Sequence, residues 1–365
     1  MKISILKEKV LNAILIAERI TGKKESLPIL SCVLIKAEKD VQIQATNLEA
    51  GVEVRIPCEV GDKGAVAVPV TILSQTIKSI GGEKVSFKVD GGNLIVESRG
   101  TRTLIKAVPH GEFPTIPSTT QGKEVKVLRD NLIQGLQAVS YAASPSMIRP
   151  ELGSVHISFK GGGLTCVATD SFRLAEKVIR GGKGVEGPEI LVPLKHALET
   201  VHILERLETE NISLTADDSQ LTVTADGVRY ISRVIDGAFP NYADVIPKSF
   251  GTEVTLLKND FSETLKKARV FSGGDQNIGL HAYPKRKVFT ATAQNADVGE
   301  MSDSIDAAIS GEDIDINFHI GYLADCLSSI ASDSITLGFS GAGKPLVIRG
   351  VSDPTFTYLV MPLNR

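Results

Sequence analysis

The sequence predicts an α+β fold of three tandem, similar domains, residues 1–122, 123–250 and 251–365, each holding two strand–helix–three-strand units. Three observations predict it. A strand running into an amphipathic helix occurs three times, a second helix stripe recurs in the same order, and alternating runs broken by turn residues lie between and after the helices. Three unrelated α+β domains would not set two helix stripes in register.

Ile3-Ser4-Ile5-Leu6-Lys7-Glu8-Lys9-Val10 opens the first copy; Val125-Lys126-Val127-Leu128-Arg129-Asp130-Asn131-Leu132 and Val254-Thr255-Leu256-Leu257-Lys258-Asn259-Asp260-Phe261 echo it at offsets of 122 and 129. The helix anchors are Val10/Ile14/Ala17, Leu132/Leu136/Val139 and Phe261/Leu265/Ala268. This i, i+4, i+7 spacing is one stripe of an α-helix. The second helix carries Val70/Leu73/Ile77/Ile80, Leu194/Ala197/Val201/Leu204 and Ile320/Leu323/Leu327/Ile330. Val68-Pro69 and Val192-Pro193 put proline at the helix start, where its missing N–H costs little; the third copy has His319 instead. Hairpins are expected for Val85–Val89 with Leu94–Glu97, Ile212–Thr215 with Leu221–Thr224, and Ile335–Phe339 with Leu346–Arg349. The first two modules close on a shared tag, His110-Gly111-Glu112-Phe113-Pro114 and Asp236-Gly237-Ala238-Phe239-Pro240. Helices then form one layer and antiparallel sheets another.

Composition bounds the function. The 365 residues are 42% hydrophobic and 23% charged, as in a soluble globular protein. Lys plus Arg is 40 against Asp plus Glu 43, a net charge of -3, which argues against an enveloping grip on nucleic acid but leaves room for a local basic strip. The six helical stretches together carry +3 and the remainder −6. Charges return by Lys7, too early for a signal-peptide core, and no apolar run approaches the about 20 residues of a membrane span. Cys32, Cys58, Cys166 and Cys326 are widely separated, as expected of reduced core residues in a cytoplasmic protein. With no Trp and 5% aromatics, no base-stacking platform is evident.

Reactive clusters are missing too. Gly338-Phe339-Ser340-Gly341-Ala342-Gly343-Lys344-Pro345 nearly fits a phosphate-binding loop, but Pro345 lacks the metal-binding hydroxyl and an apolar strand follows, so a hairpin turn is expected. Gly161-Gly162-Gly163 and Gly181-Gly182-Lys183-Gly184 read as turns. His196 and His202 do not share a helix face, Asp313/Asp315 lacks the rest of a calcium loop, and Asp217-Asp218 sits in a turn. No catalytic residue, metal or cofactor is expected. Tandem similar domains form an arc that closes with a partner or propagates. A head-to-tail dimer would join the first module's last strand (about Thr101–Val108) to the third module and hide two sheet edges.

The motif order resembles the bacterial DNA polymerase III beta subunit, the sliding-clamp family, over essentially the whole chain. The residues that carry it are Leu27-Pro28-Ile29-Leu30, Ala45-Thr46-Asn47-Leu48-Glu49, Val167 to Ala175, Asp236 to Tyr242 and Tyr358-Leu359-Val360-Met361-Pro362-Leu363. The resemblance implies a DNA clamp fold: a ring of two chains, helices lining a central channel, sheets outside. It implies a non-catalytic processivity factor, placed on duplex DNA by an ATP-driven clamp loader complex, with the replicative DNA polymerase alpha-type subunit and repair and translesion polymerases as partners. Enclosure needs few phosphate contacts and no base readout.

Carried over by position, the resemblance puts DNA-facing basic residues at Lys24, Lys78 and Lys195, with Lys266, Lys267 and Arg269 as further candidates. A partner-peptide cleft would be walled by Leu152, Thr169, Arg173, Leu174, Pro240, Val245, Pro345, Leu359, Val360 and Met361, with Arg149, Tyr322, Pro362 and Leu363 as an adjoining subsite. Met and Leu give an adaptable apolar surface, and Arg173 and Thr169 are expected to hold polar peptide atoms. Ile105, Val108, Val270 and Phe271 correspond to the dimer seam. Ser171-Phe172 stand where the family favours Gly-His, and Asp244 where a basic residue is common, which bears on partner preference. The competing readings are a repeat-built binder of a polymer surface and, more distantly, a nucleotide-using enzyme.

Overall fold

The computed structural model describes residues 1–22, 27–117, 122–181 and 187–363, so Lys24 and most of the Gly181–Gly184 cluster lie outside the described residues. The chain divides into two compact units, Met1–Ile133 with Lys195–Asp236, and Gln134–Leu194 with Gly237–Arg365. The middle module therefore contributes to both.

Among the described residues six α-helices lie where the periodicity sets them: α1 (Lys7–Ile20), α2 (Val70–Ser79), α3 (Arg129–Val139), α4 (Leu194–Leu204), α5 (Lys258–Phe271) and α6 (Ile320–Asp325). Every first-helix anchor is buried, and so are the second-helix anchors apart from Leu194, which is half-buried. The stripe expected over Ile320–Ile330 is one α turn-pair followed by a 3-10 helix at Cys326–Ser329. His319 does the work of the missing proline differently: its Nδ1 accepts the Tyr322 N–H at 3.3 Å and caps α6.

Within each module, the leading strand of one strand–helix–three-strand half pairs with the other half. Lys2–Leu6 pairs with Lys84–Asp90, and Gly64–Pro69 with Cys32–Ala37. The same exchange joins Lys123–Leu128 to Asn211–Ala216, Glu189–Pro193 to Ser154–Lys160, Thr252–Leu257 to Ser334–Phe339 and Ile314–His319 to Asn277–Tyr283. A second tie also repeats. The basic residue that starts α1, α3 and α5 donates from its side chain to a carbonyl just beyond the module's second helical segment: Lys7 to Ile80 at 2.5 Å, Arg129 to Leu207, and Lys258 to Ile330 at 2.7 Å. A cation at a helix N-terminus opposes the macrodipole; here it is offset by the unpaired carbonyl at another helix's C-terminus.

In the first unit, an eight-stranded antiparallel sheet runs Lys123–Leu128, Asn211–Ala216, Gln220–Ala225, Val228–Arg233, Ala50–Ile56, Val41–Thr46, Cys32–Ala37, Gly64–Pro69. The middle module's last strand, Val228–Arg233, meets Ala50–Ile56 of the first module there, with Tyr230 opposite Val52. In the second unit a nine-stranded sheet repeats the arrangement: Arg173–Arg180 of the middle module pairs with Asp353–Val360 of the third, Leu174 opposite Leu359. Each seam contains an ion pair. Arg229 binds Glu53 through Nε at 2.9 Å, and buried Lys177 reaches Asp353 at 3.3 Å and Thr355 at 2.7 Å. Buried pairs of this kind fix register more than they add stability.

Two smaller sheets remain, with Thr101–Ile105 at the edge of the five-stranded one and Gly299–Ser304 at the edge of the four-stranded one. The first of these edge strands stops short of the expected Val108, whose N–H instead bonds the Ala67 carbonyl. The residues expected at the dimer seam differ in exposure. Ile105 is buried in its own sheet, leaving Leu104 exposed by strand alternation, and half-buried Val108 packs against Ile29, Leu30 and Leu34. Val270 is exposed and Phe271 half-buried. The glycine-rich run at 338–345 is a hairpin turn, with Phe339 opposite Leu346. Among the described residues no helix is long and apolar enough to cross a membrane.

Candidate partner-binding surface

The surface is built on the turn that joins strands Gly163–Thr169 and Arg173–Arg180. Asp170 Oδ1 accepts the N–H groups of Phe172 and Arg173, both at 2.9 Å, and Thr169 Oγ1 donates to the Arg173 carbonyl at 2.6 Å. Thr46-Asn47 makes the same turn in the first module, where Asn47 Oδ1 accepts from Glu49 and Ala50. The Thr-Asn/Asp pair that recurs in the sequence is thus a turn device. Ser171 sits at φ 79°, a conformation glycine takes without steric cost, which accounts for glycine being favoured at this position. The turn leaves Phe172 62% exposed.

Arg173 organises the polar half. Its Nε binds Asp170 at 2.9 Å and Nη1 binds Asp325 at 2.6 Å. Its guanidinium carbon lies 4.4 Å from the Tyr322 ring centre and 5.8 Å from that of Tyr141. Burial works against the charge, but Tyr358, Asp325 and Asp170 outweigh it and raise the pKa. Burial, reinforced by the Arg173 charge, lowers His319 and keeps its imidazole neutral as a cap. Tyr358, pushed up by burial, donates to the Tyr322 carbonyl at 2.9 Å.

The apolar half is one cluster: Val167, Leu174, Val347 and Leu359 are buried beneath Phe239, Tyr242, Ile246, Phe250 and Met361. Met361 N–H bonds the Phe172 carbonyl at 2.8 Å and Leu363 N–H the Asn317 carbonyl at 2.9 Å, so the tail is fixed across the surface.

The expected cleft residues fall into two sets. Leu152, Thr169, Leu174, Leu359 and Val360 are buried. Pro240, Val245 and Arg149 are exposed, while Arg173, Tyr322, Pro345, Met361, Pro362 and Leu363 are half-buried. The polar groups of Thr169 and Arg173 are engaged within the chain, and Arg149 is held by Glu151 at 3.1 Å. Sequence reasoning missed Tyr141, Asp325, Phe239 and Tyr242. The Asp170–Arg173 spacing hinted at one ion pair, but Asp325 lies 152 residues from Arg173 and left no local signal.

The basic candidates are exposed yet mostly paired. Lys78 is 4.0 Å from Glu18, Lys195 3.8 Å from Glu49, Lys266 2.8 Å from Glu263 and Lys267 2.9 Å from Asp303; Arg269 is exposed in the last turn of α5. One hydrogen-bonded chain not legible in the sequence joins Thr292 Oγ1 to His281 Nε2 at 2.8 Å and His281 Nδ1 to Asp315 at 2.6 Å. Asp315 is 55% exposed and also accepts from Tyr283, so this is a surface network without the dry environment a nucleophile needs. Among the described residues no group of three or more His, Cys, Asp or Glu is placed to hold a metal ion.

Three family models match the chain in succession: the DNA polymerase III beta subunit N-terminal domain at residues 1–117, its central domain at 126–241 and its C-terminal domain at 243–364. Proteins called beta sliding clamp from Caulobacter vibrioides and Bacillus subtilis are each 26% identical, over 100% of this chain and 100% of their own. The crystal structure of the DNA polymerase III beta subunit from Thermotoga maritima superposes with a TM-score of 0.95 at 26% identity, covering 100% of this chain and 99% of that one. The Pseudomonas aeruginosa subunit has the same fold, with a TM-score of 0.94 at 22% identity and 100% coverage of both chains.

Proposed function

The chain belongs to the DNA polymerase III beta subunit family, and we propose that it is a sliding clamp, a ring-shaped homodimer that encircles duplex DNA and tethers the replicative polymerase. One observation carries the ring. The last strand of the middle module pairs with the first module, and the last strand of the third pairs with the middle one. Continuing that rule, Thr101–Ile105 of one chain pairs with Gly299–Ser304 of another. The same pairing occurs at the second junction, so two chains close with no free edge at the seams.

The clamp domains are 1–122, 123–250 and 251–365. Lys78, Lys195, Lys266, Lys267 and Arg269 face DNA, and the carboxylate neighbours of the four lysines weaken phosphate contact, which favours sliding. The protein has no catalytic activity of its own and works in the cytoplasm. Polymerase, clamp loader and repair polymerases share the surface formed by Phe172, Leu174, Pro240, Val245 and Met361. Primer extension on a long single-stranded circle tests the reading: with a matched loader and polymerase, the protein lengthens the product of a single binding event many-fold. Unchanged product length would refute it.

A further inference from the structure

A second cavity adjoins the apolar cluster, with a volume of about 350 Å³ and a lining that includes His156, Lys160, Glu176, Glu189, Asn241 and Tyr242. Its floor is the face of strands Ser154–Lys160, Gly163–Thr169 and Arg173–Arg180; its wall is the segment Phe239–Tyr242 that leads into the third module. Phe239 stacks on His156, with ring centres 4.9 Å apart and planes at 10°, and meets Tyr242 edge-on at 6.1 Å.

The charges are unbalanced. Glu189 accepts from His156 Nε2 at 2.8 Å and pairs with Lys160 at 2.8 Å, and these two partners hold its carboxyl below the usual range. Burial lowers the pKa of His156, so the ring is neutral, and its buried Nδ1 has no hydrogen-bond partner. Glu176 adds a second carboxylate beside the Tyr242 hydroxyl. Within this lining two carboxylates accompany one lysine, whose side chain is 74% exposed and so only weakly held, while Lys248 and Arg349 line the neighbouring pocket on the other side of Glu176 and Tyr242. A guanidinium could displace Lys160 from Glu189 with two parallel bonds, its stem lying against Phe239 and Tyr242.

The cavity is continuous with the partner surface. Phe239 and Tyr242 pack on Leu174 and Leu359 as well as lining the cavity, and Pro240 belongs to both. We propose that the cavity is an accessory subsite for a basic side chain, arginine above all, flanking the apolar motif of a partner peptide. It rests on the reading of the Leu174–Met361 surface as the peptide site.

Fluorescence anisotropy with synthetic peptides tests this. A Leu-Ala-Leu-Phe core is compared with the same core extended through Gly-Gly by Arg or by Ala, at either terminus. One Arg extension is expected to bind about five- to tenfold tighter than its Ala counterpart at low salt, the gain shrinking as salt rises. Glu189→Gln and Glu176→Gln should each reduce that gain without altering binding of the bare core, and Lys160→Ala should increase it; thermal melts confirm that the variants fold. Equal binding of Arg- and Ala-extended peptides at both termini, with the bare core bound, overturns the subsite alone. Failure of every peptide to bind removes the peptide site and the subsite with it.

Discussion

Arg173 is held between two carboxylates and two tyrosines, and its removal would leave Asp170, whose side chain is 10% exposed, without a cation. Arg173→Ala should therefore cost about 3 kcal/mol in urea denaturation, several times the effect of truncating exposed Arg102. A second residue sets a pH dependence. Burial pushes Glu199 in α4 up to about 6, against 4.5 ordinarily, although it accepts the Tyr230 hydroxyl at 3.0 Å. The folded state thus binds this proton more tightly than the unfolded chain does. The contribution is most favourable below pH 4.5 and is lost as pH rises through about 6, where the buried carboxyl ionises. Glu199→Gln should stabilise the protein by about 1–2 kcal/mol at pH 7.5 and by nothing measurable at pH 4, read from denaturation midpoints.

At the scale of elements, the repeated tie from the first helix to the end of the second holds each module together. Lys258→Ala removes a charge-assisted bond to the Ile330 carbonyl and is expected to cost about 1–2 kcal/mol. Lys266→Ala, one turn pair along the same helix and paired only with exposed Glu263, should stay within about 0.5 kcal/mol. Chemical denaturation of the two variants separates them. The helices themselves were legible, because a buried stripe such as Phe261/Leu265/Ala268 writes its spacing into a dozen consecutive residues. The strand exchange was not. Alternation in Val125–Leu128 looks the same whether the partner is the next hairpin or Asn211–Ala216, since period two reports the buried face and not the neighbour. The family resemblance grouped Leu174 with Leu359, and the two pack together, yet their burial under Phe239 and Tyr242 depends on a seam between strands about 180 residues apart.

The whole molecule has little excess charge of either sign, so adhesion is a poor explanation for work on DNA. Topology is a better one. Two sheets already cross module junctions by one pairing rule, and the strands that the rule leaves over, Thr101–Ile105 and Gly299–Ser304, are sheet edges. A particle of about twice 39.0 kDa in light scattering follows from their pairing. The decisive measurement is retention on DNA of defined topology: protein loaded by a matched loader onto a nicked circle, filtered through a sizing column at moderate salt, then cut once with a restriction enzyme. Enclosure predicts that the protein elutes with the intact circle and is shed after the cut, running off the free ends. Equal retention on circle and linear form, or none on either, would contradict it.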